Sequence, residues 1–471
     1  MKLSKKFVVG LAATAIVGSF GITAASAATI VAGGATFPLN LMESCRASFA
    51  GDSTANAAGH KVDYTGVGSG TGKANFFKND YTFGMSDSLW TNTEATASAA
   101  VAKGRTTSNF VFVPLISGAI NVAYNLEGVK PAGTVLQLSS ATVAKIFAAQ
   151  IKIWNDPAIL ADNPVAAQPK LLGLNGQTKF TLAKKSATKA TLTATLTSKA
   201  VTSKTKNLII TSSIDGGTTV KKIYNKKPKA GKITLSVPYA AGTVYSITLD
   251  KALIGSVSVD ATSVTIPATP ITVYKRKDTS GTTNNFANYL NKSQPTIWTK
   301  ETNDAFDTAF PGTVPTDGSF VAAQGNDGVA NGVMGKNGGI GYAETSFVNE
   351  RQTAGKTIQS AKIKNGAGEY LAGSSAGAKL AVGAAAVNST TGIVTFDYAN
   401  TVAGAYPITA VSYGMANTAA FGTAANNAIA KSYVNYVLDT CAPAVAEIKG
   451  YAALPDNIVT IAKTIAAKIG A

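Results

Sequence analysis

The strongest constraint on the fold is a change of pattern in the middle of the chain. On either side of it strand-like and helix-like segments alternate, as in FVFVPLI followed by SATVAKIFAAQIKIW, and such alternation indicates an α/β fold. Between residues 167 and 269 the helical pattern stops, and short alternating segments such as KNLIITSS, KKIYNKK and TVYSITLD follow one another. Short strands at regular spacing are typical of a small β-sandwich. We therefore predict an α/β protein interrupted by an inserted β-sandwich-like module.

The inserted block also carries most of the charge. The chain has a formal net charge of +17, and residues 167–269 supply fifteen Lys against three Asp. Few aromatic residues alternate with these lysines, which argues against nucleic acid as a partner. The basic surface could instead bind an anionic cell-envelope polymer, steer a small anion towards another site, or act only as a solvated spacer.

The first 27 residues have the pattern of a secretory signal. Three lysines among the first six residues precede an apolar run from Phe7 to Ile22 and a small-residue cleavage site at Ala25-Ser26-Ala27. We expect a mature chain that starts at Ala28 and works outside the cytoplasm, in the periplasm or at the cell envelope. The sequence shows no pattern of a lipid anchor or of a later membrane span.

Histidine and cysteine are too scarce for most catalytic or metal sites. His60 is the only histidine, and it precedes the GSSAG segment around Ser375, whereas a hydrolase with that nucleophile motif needs its histidine afterwards. GVMGKN at 332–337 lacks two residues of a phosphate-binding P-loop. The two cysteines, Cys45 and Cys441, form either a disulfide in an exported chain or two buried thiols. We predict no catalytic residue, no metal site and no cofactor.

Four short segments combine glycine with hydroxyl residues where a loop could enter a helix. They are AGGATFP (32–38), GVGSGTG (66–72), GMSDSLW (84–90) and TSGTT (279–283). Helix starts present unpaired N–H groups that bind anions, and Arg276, just before the last segment, adds a planar fork of donors. If these loops converge, they form a site for a tetrahedral oxyanion held without metal.

Asp87, within GMSDSLW, narrows the choice of anion. A carboxylate next to an anion is repulsive unless the anion carries a proton that the carboxylate can accept. This fits hydrogen phosphate and excludes fully ionised sulfate.

At this point the chain resembles the phosphate-binding protein of bacterial high-affinity phosphate ABC transporters, a type 2 periplasmic-binding-protein family. The resemblance rests on nine motifs in family order across most of the mature chain. They are GGATFP, VDYTGVGSGTGKANFF, YTFGMSDSLW, VPLISGAINVAYNLEGV, LSSATVAKIFAAQIKIWNDPAILADNP, ITVYKRKDTSGTTNNFANYL, GNDGVANGVMGKNGGIGYAE, YPITAVSYG and GYAALPDNIV.

The resemblance implies a protein that captures inorganic phosphate and hands it to ABC permease subunits. Its phosphate contacts fall, position by position, on Thr36, Phe37, Ser69, Asp87, Arg276, Ser280, Gly281 and Thr282. At Phe37 the backbone N–H serves the ligand. Two regions depart from the family pattern: the insertion, and residues 366–404, whose Ala/Gly/Ser-rich part at 366–388 indicates a loop-rich surface.

The resemblance also implies two hinged lobes around a cleft. Lobe one comprises residues 28–115 and 405–471, and lobe two comprises 116–166 and 270–404, with the module at 167–269 inserted into it. A disulfide between the two cysteines would then join the two parts of lobe one. The alternative left open is an extracellular adhesion or wall-binding protein that uses the basic module on a phosphate-binding scaffold.

Overall fold

The computed structural model describes most of the chain after the first 26 residues, so the predicted signal peptide lies outside the described part. The described residues are 27–97, 104–130, 132–163, 178–186, 189–197, 201, 204–214, 219–238, 243–258, 264–419 and 421–471.

Strands and helices alternate in the first part of the chain. They are β1 (Thr29–Gly34), α1 (Leu39–Gly51), β2 (Lys61–Gly66), α2 (Ser69–Phe77), β3 (Phe83–Ser86), α3 (Asn92–Ala95), β4 (Phe110–Asn125), β5 (Gln137–Leu138), α4 (Ser140–Phe147) and α5 (Pro157–Asp162).

Strands alone are found among the described residues of the next part. They are β6 (Thr178–Lys184), β7 (Lys189–Leu196), β8 (Leu208–Ile214), β9 (Thr219–Lys226), β10 (Gly231–Pro238), β11 (Val244–Leu249) and β12 (Ala252–Ser258).

The alternation of strands and helices then resumes. The elements are β13 (Thr272–Arg276), α6 (Gly281–Ser293), α7 (Phe306–Ala309), β14 (Phe320–Ala323), α8 (Gly325–Met334), β15 (Gly339–Glu344), α9 (Thr345–Thr353), β16 (Gln359–Ser360), β17 (Lys362–Lys364), β18 (Tyr370–Leu371), α10 (Ser375–Gly383), β19 (Ala386–Val387), β20 (Val394–Thr395), β21 (Thr409–Asn417), α11 (Ala424–Tyr436), a π-helical turn (Val437–Cys441), α12 (Ala442–Val445), β22 (Tyr451–Ala452) and α13 (Asp456–Ala466).

One large sheet organises the α/β part, in the order β14-β13-β15-β4-β21-β3-β1-β2. We call β1, β2, β3 and β21 the first half-sheet and β13, β14 and β15 the second half-sheet. The long strand β4 belongs to both: it pairs with β21 up to Ala119 and with β15 from Ile120 onwards. All sixteen of its residues are buried, because the two halves of the molecule meet along it.

Parallel strands lead directly into helices in both half-sheets. β1 runs parallel to β2 and β3, and β13 runs parallel to β14 and β15. The carboxyl ends of parallel strands lie at one edge of a sheet, where open α/β sheets bind ligands. The glycine- and hydroxyl-containing loops follow β1, β2, β3 and β13, at this edge.

The strands between Thr178 and Ser258 form a separate unit. Two antiparallel sheets, in the orders β10-β7-β6 and β12-β11-β8-β9, share a hydrophobic core of their own that includes Leu192, Tyr245 and Ile247. Buried and partly exposed residues alternate along β7 and β11, as expected where one face of a sheet covers a core. The boundaries at 167 and 269 stay a prediction.

The disulfide predicted as one of two alternatives is present. Cys45 in α1 is bonded to Cys441 at the end of the π-helical turn, with their Cα atoms 5.5 Å apart. Both residues are buried, and the bond links segments separated by 396 positions in sequence. It therefore joins the two ends of the described chain within the first half-sheet and its helices.

Two local predictions are wrong. The 366–388 stretch is not simply loop, because α10 lies within it and buries Ala378, Ala381 and Val382; its small residues allow close helix packing. The helix predicted from SATVAKIFAAQIKIW ends at Phe147, and the chain turns at Ala149 with φ of 60°.

No helix in the described part of the chain has the length and apolar character needed to cross a membrane.

Candidate functional site

The loop after β1 brings Thr36 and Phe37 to the edge of the sheet. Gly34, with φ of +139°, lies so close to the neighbouring strand that a Cβ there would come within 2.0 Å of the Met85 carbonyl oxygen, so only glycine fits. The Phe37 ring packs in the core against Tyr451, and its carbonyl accepts a hydrogen bond of 2.8 Å from the Tyr451 hydroxyl. The ring is therefore structural, and only the backbone of Phe37 can serve a ligand.

Ser69 and Asp87 form a buried pair at the ends of β2 and β3. The Asp87 backbone N–H donates to Ser69 Oγ at 3.1 Å, and Ser69 Oγ lies 3.4 Å from Asp87 Oδ2. Asp87 Oδ1 accepts a hydrogen bond of 2.7 Å from Ser412 Oγ, in β21. Ser69 is also the first residue of α2, so its N–H has no intrahelical partner.

Burial raises the pKa of Asp87 from 3.8 to about 7, and the negative charge of Asp304 contributes to the rise. The hydrogen bonds from Ser412 and Ser69 and the charge of Arg276 act in the opposite direction. A carboxyl with such a pKa can change its protonation state near neutral pH.

Arg276, at the end of β13, is almost fully buried and is held by a carboxylate. Its Nε donates to Asp278 Oδ1 at 2.8 Å, its Nη2 forms an ion pair with Asp278 Oδ2, and its Nη1 lies 3.3 Å from Thr282 Oγ1. Burial would raise the pKa of Asp278, but the hydrogen bond and charge of Arg276, with the Gly325 N–H, outweigh it and hold that pKa below its ordinary value. The guanidinium is thus fixed in place.

The first turn of α6 completes the constellation. Ser280 caps the helix, its Oγ accepting from the Thr283 N–H at 3.3 Å, and the N–H groups of Gly281 and Thr282 have no partner within the helix. A Cβ at Gly281 would come within 2.5 Å of Ser69 Oγ and 2.7 Å of Asp87 Cβ. The missing side chain lets the start of α6 lie directly against the Ser69–Asp87 pair.

Asparagine side chains join the two half-sheets at this point. Asn326 Nδ2 donates to Thr36 Oγ1 at 3.1 Å and lies 3.4 Å from Thr282 Oγ1. Asn285 Nδ2 donates to the Asp87 carbonyl at 2.7 Å. The structure thus brings all eight candidate residues to one buried place, where the ends of β1, β2, β3 and β13 meet.

Sequence reasoning missed several residues of this site. They are Asp278, Asn285, Asn326 and Ser412. The first was detectable, because a carboxylate two positions after a buried arginine on a strand end is a natural partner for it. Ser412 comes from β21, 325 positions after Asp87, so no local pattern marks it.

The motifs set aside as chance matches have structural roles. Ser375 is the first residue of α10, and Ser374 caps that helix by accepting from the Gly377 N–H at 3.1 Å. GVMGKN falls at the end of α8, not at a helix start. His60 Nδ1 accepts from the Ala28 N–H at 3.0 Å. Within the described residues no group of three His, Cys, Asp or Glu side chains is arranged to hold a metal ion.

A family model described as a PBP superfamily domain matches residues 22–253 and 256–440. Among curated proteins, the phosphate-binding protein PstS 3 of Mycobacterium leprae (strain TN) is 25% identical over 339 residues, which cover 72% of this chain and 58% of that protein. PstS 3 of Mycobacterium tuberculosis (strain ATCC 25618 / H37Rv) is 40% identical over 105 residues, or 22% of this chain and 26% of that protein. The chain therefore matches between a quarter and three fifths of the length of these relatives.

Solved structures with a similar fold cover nearly the whole chain. A high-affinity periplasmic phosphate-binding protein (PfluDING) bound with phosphate superposes with a TM-score of 0.54 at 20% identity, covering 93% of each chain. The phosphate-binding protein from Stenotrophomonas maltophilia gives a TM-score of 0.52 at 16% identity, again covering 93% of each chain. These likenesses concern the fold.

Proposed function

This chain belongs to the PBP superfamily, and we propose that it is a solute-binding protein that captures inorganic phosphate and delivers it to an ABC permease. The observation that carries the proposal is the buried Asp87 carboxyl beside the fixed Arg276 guanidinium, surrounded by hydroxyl and N–H donors. Such a set of groups suits an oxyanion that brings its own proton.

The donors account for the charge and shape of phosphate. Arg276 supplies a fixed guanidinium whose positive charge Asp278 partly balances, and the hydroxyls of Thr36, Ser69 and Thr282 supply further donors. Backbone N–H groups at the starts of α2 and α6 add fixed partial charges that favour an anion. The ligand contacts of the eight residues, including the N–H of Phe37 and the hydroxyl of Ser280, are part of this proposal.

Asp87 allows the site to bind phosphate in preference to sulfate. Phosphate at neutral pH carries at least one proton, which an ionised Asp87 can accept as a hydrogen bond. Sulfate has no such proton, so an unpaired carboxylate would face an unpaired oxyanion in a buried site, at a cost of several kcal/mol.

The strand pairing supports a hinged, two-lobed protein. β4 exchanges its partner between Ala119 and Ile120, and the Ile120 N–H donates to the Ile408 carbonyl at 2.8 Å. Both chain crossings therefore lie side by side. We propose lobe one as 28–115 with 405–471, and lobe two as 116–404, with the module at 167–269 inserted in it.

We further propose that the protein works outside the cytoplasm and catalyses nothing. The signal-like first residues and the disulfide support export. Relatives whose names identify them as phosphate-binding proteins support a transport role. The site holds a buried set of donors around Asp87, its other carboxylate, Asp278, is engaged by Arg276, and the histidine of the chain, His60, accepts from the Ala28 N–H instead of pairing with a hydroxyl of the site.

The experiment is a calorimetric titration of the Asp87→Ala variant with phosphate and with sulfate at neutral pH. We expect phosphate affinity to fall at least tenfold and the preference over sulfate to shrink. Asp63→Ala, at an exposed position in β2, is the control and should change neither quantity. If Asp87→Ala keeps the affinity and the selectivity of the wild type, Asp87 does not accept the ligand's proton.

A second candidate function, adhesion to an anionic cell-envelope polymer, rests on the charge of the β unit. Six exposed lysines lie within twelve positions on β9, β10 and the turn between them, and no acidic residue occurs from 216 to 249. The six lysines are Lys221, Lys222, Lys226, Lys227, Lys229 and Lys232. Among the described strands, β9 and β10 each pair on one side only, so the lysines also protect open sheet edges from pairing with other chains.

Deleting residues 167–269 distinguishes three roles of the basic module: adhesion to an anionic polymer, electrostatic steering of phosphate, and a solvated spacer. Unchanged phosphate affinity with lost attachment to the cell envelope supports an adhesive role through an anionic polymer. A salt-sensitive drop in the phosphate association rate supports electrostatic steering. No change in either measurement supports a solvated spacer whose lysines protect its edges.

A further inference from the structure

Lys73 is a buried lysine next to the proposed phosphate site. It lies in α2, one turn after Ser69, and its side chain is 3% exposed. Lysine is almost never buried to this extent unless it is paired. Its Nζ lies 2.9 Å from Glu94 Oε1 and 3.1 Å from Asp304 Oδ2, and it donates to the Leu89 carbonyl at 3.1 Å.

The two carboxylates that pair with Lys73 come from different parts of the fold. Glu94 belongs to α3, which follows β3 of the first half-sheet, and its side chain is 35% exposed. Asp304 follows α6, the helix that leads out of β13 in the second half-sheet, and its side chain is 13% exposed. The Lys73–Asp304 ion pair therefore joins the two half-sheets, whereas the Lys73–Glu94 pair stays within one.

Asp304 is itself attached to the start of α6 and to the residue after Asp87. Its backbone carbonyl accepts from the Ser280 N–H at 2.9 Å, and its Oδ1 accepts from Asn284 Nδ2 at 2.8 Å. Its Oδ2 accepts from Ser88 Oγ at 2.9 Å. A movement of Asp304 away from Lys73 would thus carry with it the helix start that holds Ser280, Gly281 and Thr282.

We propose that Lys73 and Asp304 form a clasp between the lobes that holds the site closed over bound phosphate and sets the rate at which phosphate leaves. The clasp rests on the proposed function. Lys73 also neutralises Asp304, whose charge would otherwise add to that of Asp87 beside a bound anion. The pair belongs to the closed arrangement, because opening the cleft would separate α2 from the segment after α6.

Charge pairs that are buried at an interface act mainly on dissociation, whereas exposed charges act on association. Breaking the clasp should therefore change release far more than capture. Asp304→Asn is the informative variant, because it keeps the shape and leaves Lys73 paired with Glu94. Glu94→Gln is the matched control, since it removes an ion pair from the same lysine without touching the contact between the half-sheets.

The experiment measures phosphate association and dissociation by stopped-flow mixing for the full chain and its variants. We expect Asp304→Asn and Lys73→Met to release phosphate roughly ten to one hundred times faster than the wild type, with association changed less than threefold. Glu94→Gln should stay within threefold in both rates. The variant that combines Lys73→Met with Asp304→Asn should release phosphate no faster than Lys73→Met alone, because Lys73 and Asp304 act as one unit.

A wild-type dissociation rate in a folded Asp304→Asn variant would overturn the clasp, and so would an equal acceleration in Glu94→Gln. If the wild type bound no phosphate, the proposed function would fail, and the clasp would be tested by small-angle X-ray scattering of the unliganded proteins. Asp304→Asn should then have a larger radius of gyration than the wild type and Glu94→Gln should not. Equal radii in all three proteins would contradict the clasp independently of the ligand.

Discussion

Replacing Asp87 with asparagine should stabilise the phosphate-free protein while it weakens phosphate binding. Asp87 is buried, and burial is the main reason that its pKa is raised to about 7. Asparagine has the same size, and its side-chain oxygen can accept the 2.7 Å hydrogen bond from Ser412 Oγ. It carries no charge, so it avoids the cost of an ionised carboxyl in this site.

The size of the effect follows from the pKa. The rise from 3.8 to about 7 is roughly three pH units, and each unit corresponds to about 1.4 kcal/mol. Because the folded state binds the proton more tightly than the unfolded state, the contribution of Asp87 to stability is fully present below about pH 3.8. It is lost as the pH rises through 7. Ionised Asp87 therefore costs up to about 4 kcal/mol at pH 8.

The assay is urea unfolding of phosphate-free wild type and Asp87→Asn at pH 4, 6 and 8. The variant should match the wild type near pH 4 and exceed its free energy of unfolding by about 2–4 kcal/mol at pH 8. The exposed Asp63→Asn variant should follow the wild type at every pH. If Asp87→Asn gains no stability between pH 4 and pH 8, the carboxyl is ionised without cost and our account of its pKa is wrong.

Three further substitutions test the site and the scaffold. Gly281→Ala should lower phosphate affinity at least tenfold in calorimetry, because its Cβ would come within 2.5 Å of Ser69 Oγ, whereas Gly383→Ala, with no atom within 4 Å of its Cβ, should not. Arg276→Ala should cost about 2–5 kcal/mol of phosphate binding free energy, and a loss below about 0.5 kcal/mol would place Arg276 outside the site. Cys45→Ala should lower the free energy of unfolding by about 2–5 kcal/mol and leave phosphate affinity within threefold, so an unchanged unfolding curve would contradict a stabilising disulfide.

The class of fold and the neighbourhood of the candidate residues were predictable because their signals are local. Strand, glycine, hydroxyl and helix start follow one another within a few positions at Thr36, Ser69 and Thr282. The physical need for N–H groups and close backbone approach selects such residues wherever they occur. The predicted α/β periplasmic-binding-protein fold is confirmed by the match to the PBP superfamily.

The partners that complete the site were not predictable, because they come from distant parts of the chain. Ser412 reaches Asp87 only because β21 lies next to β3 in the sheet. Asp304 reaches Lys73 across the gap between the half-sheets. Lys73 lies within the VDYTGVGSGTGKANFF motif, but nothing in that motif points to a partner 231 positions later. A sequence pattern records what a residue can do locally, while the pKa of Asp87 depends on which groups folding brings around it.

The length of helices was predicted less well than their presence, since tertiary contacts decide where they end. The pattern in SATVAKIFAAQIKIW continues past Phe147, yet the chain leaves the helix so that the Trp154 indole N–H can donate to the Gly338 carbonyl at 3.0 Å. In the 366–388 stretch, alanine and glycine looked like loop residues. There they allow α10 to pack closely, with Ala378 fully buried.

The most direct test of the central claim is a calorimetric titration of residues 28–471 with phosphate and then with sulfate at neutral pH, after unfolding and refolding to remove any co-purified ligand. We expect tight one-to-one binding of phosphate and no heat of binding with sulfate. If refolded protein with an intact disulfide gave no heat of binding with phosphate, the account would be contradicted. The fold would then serve as a scaffold for another activity.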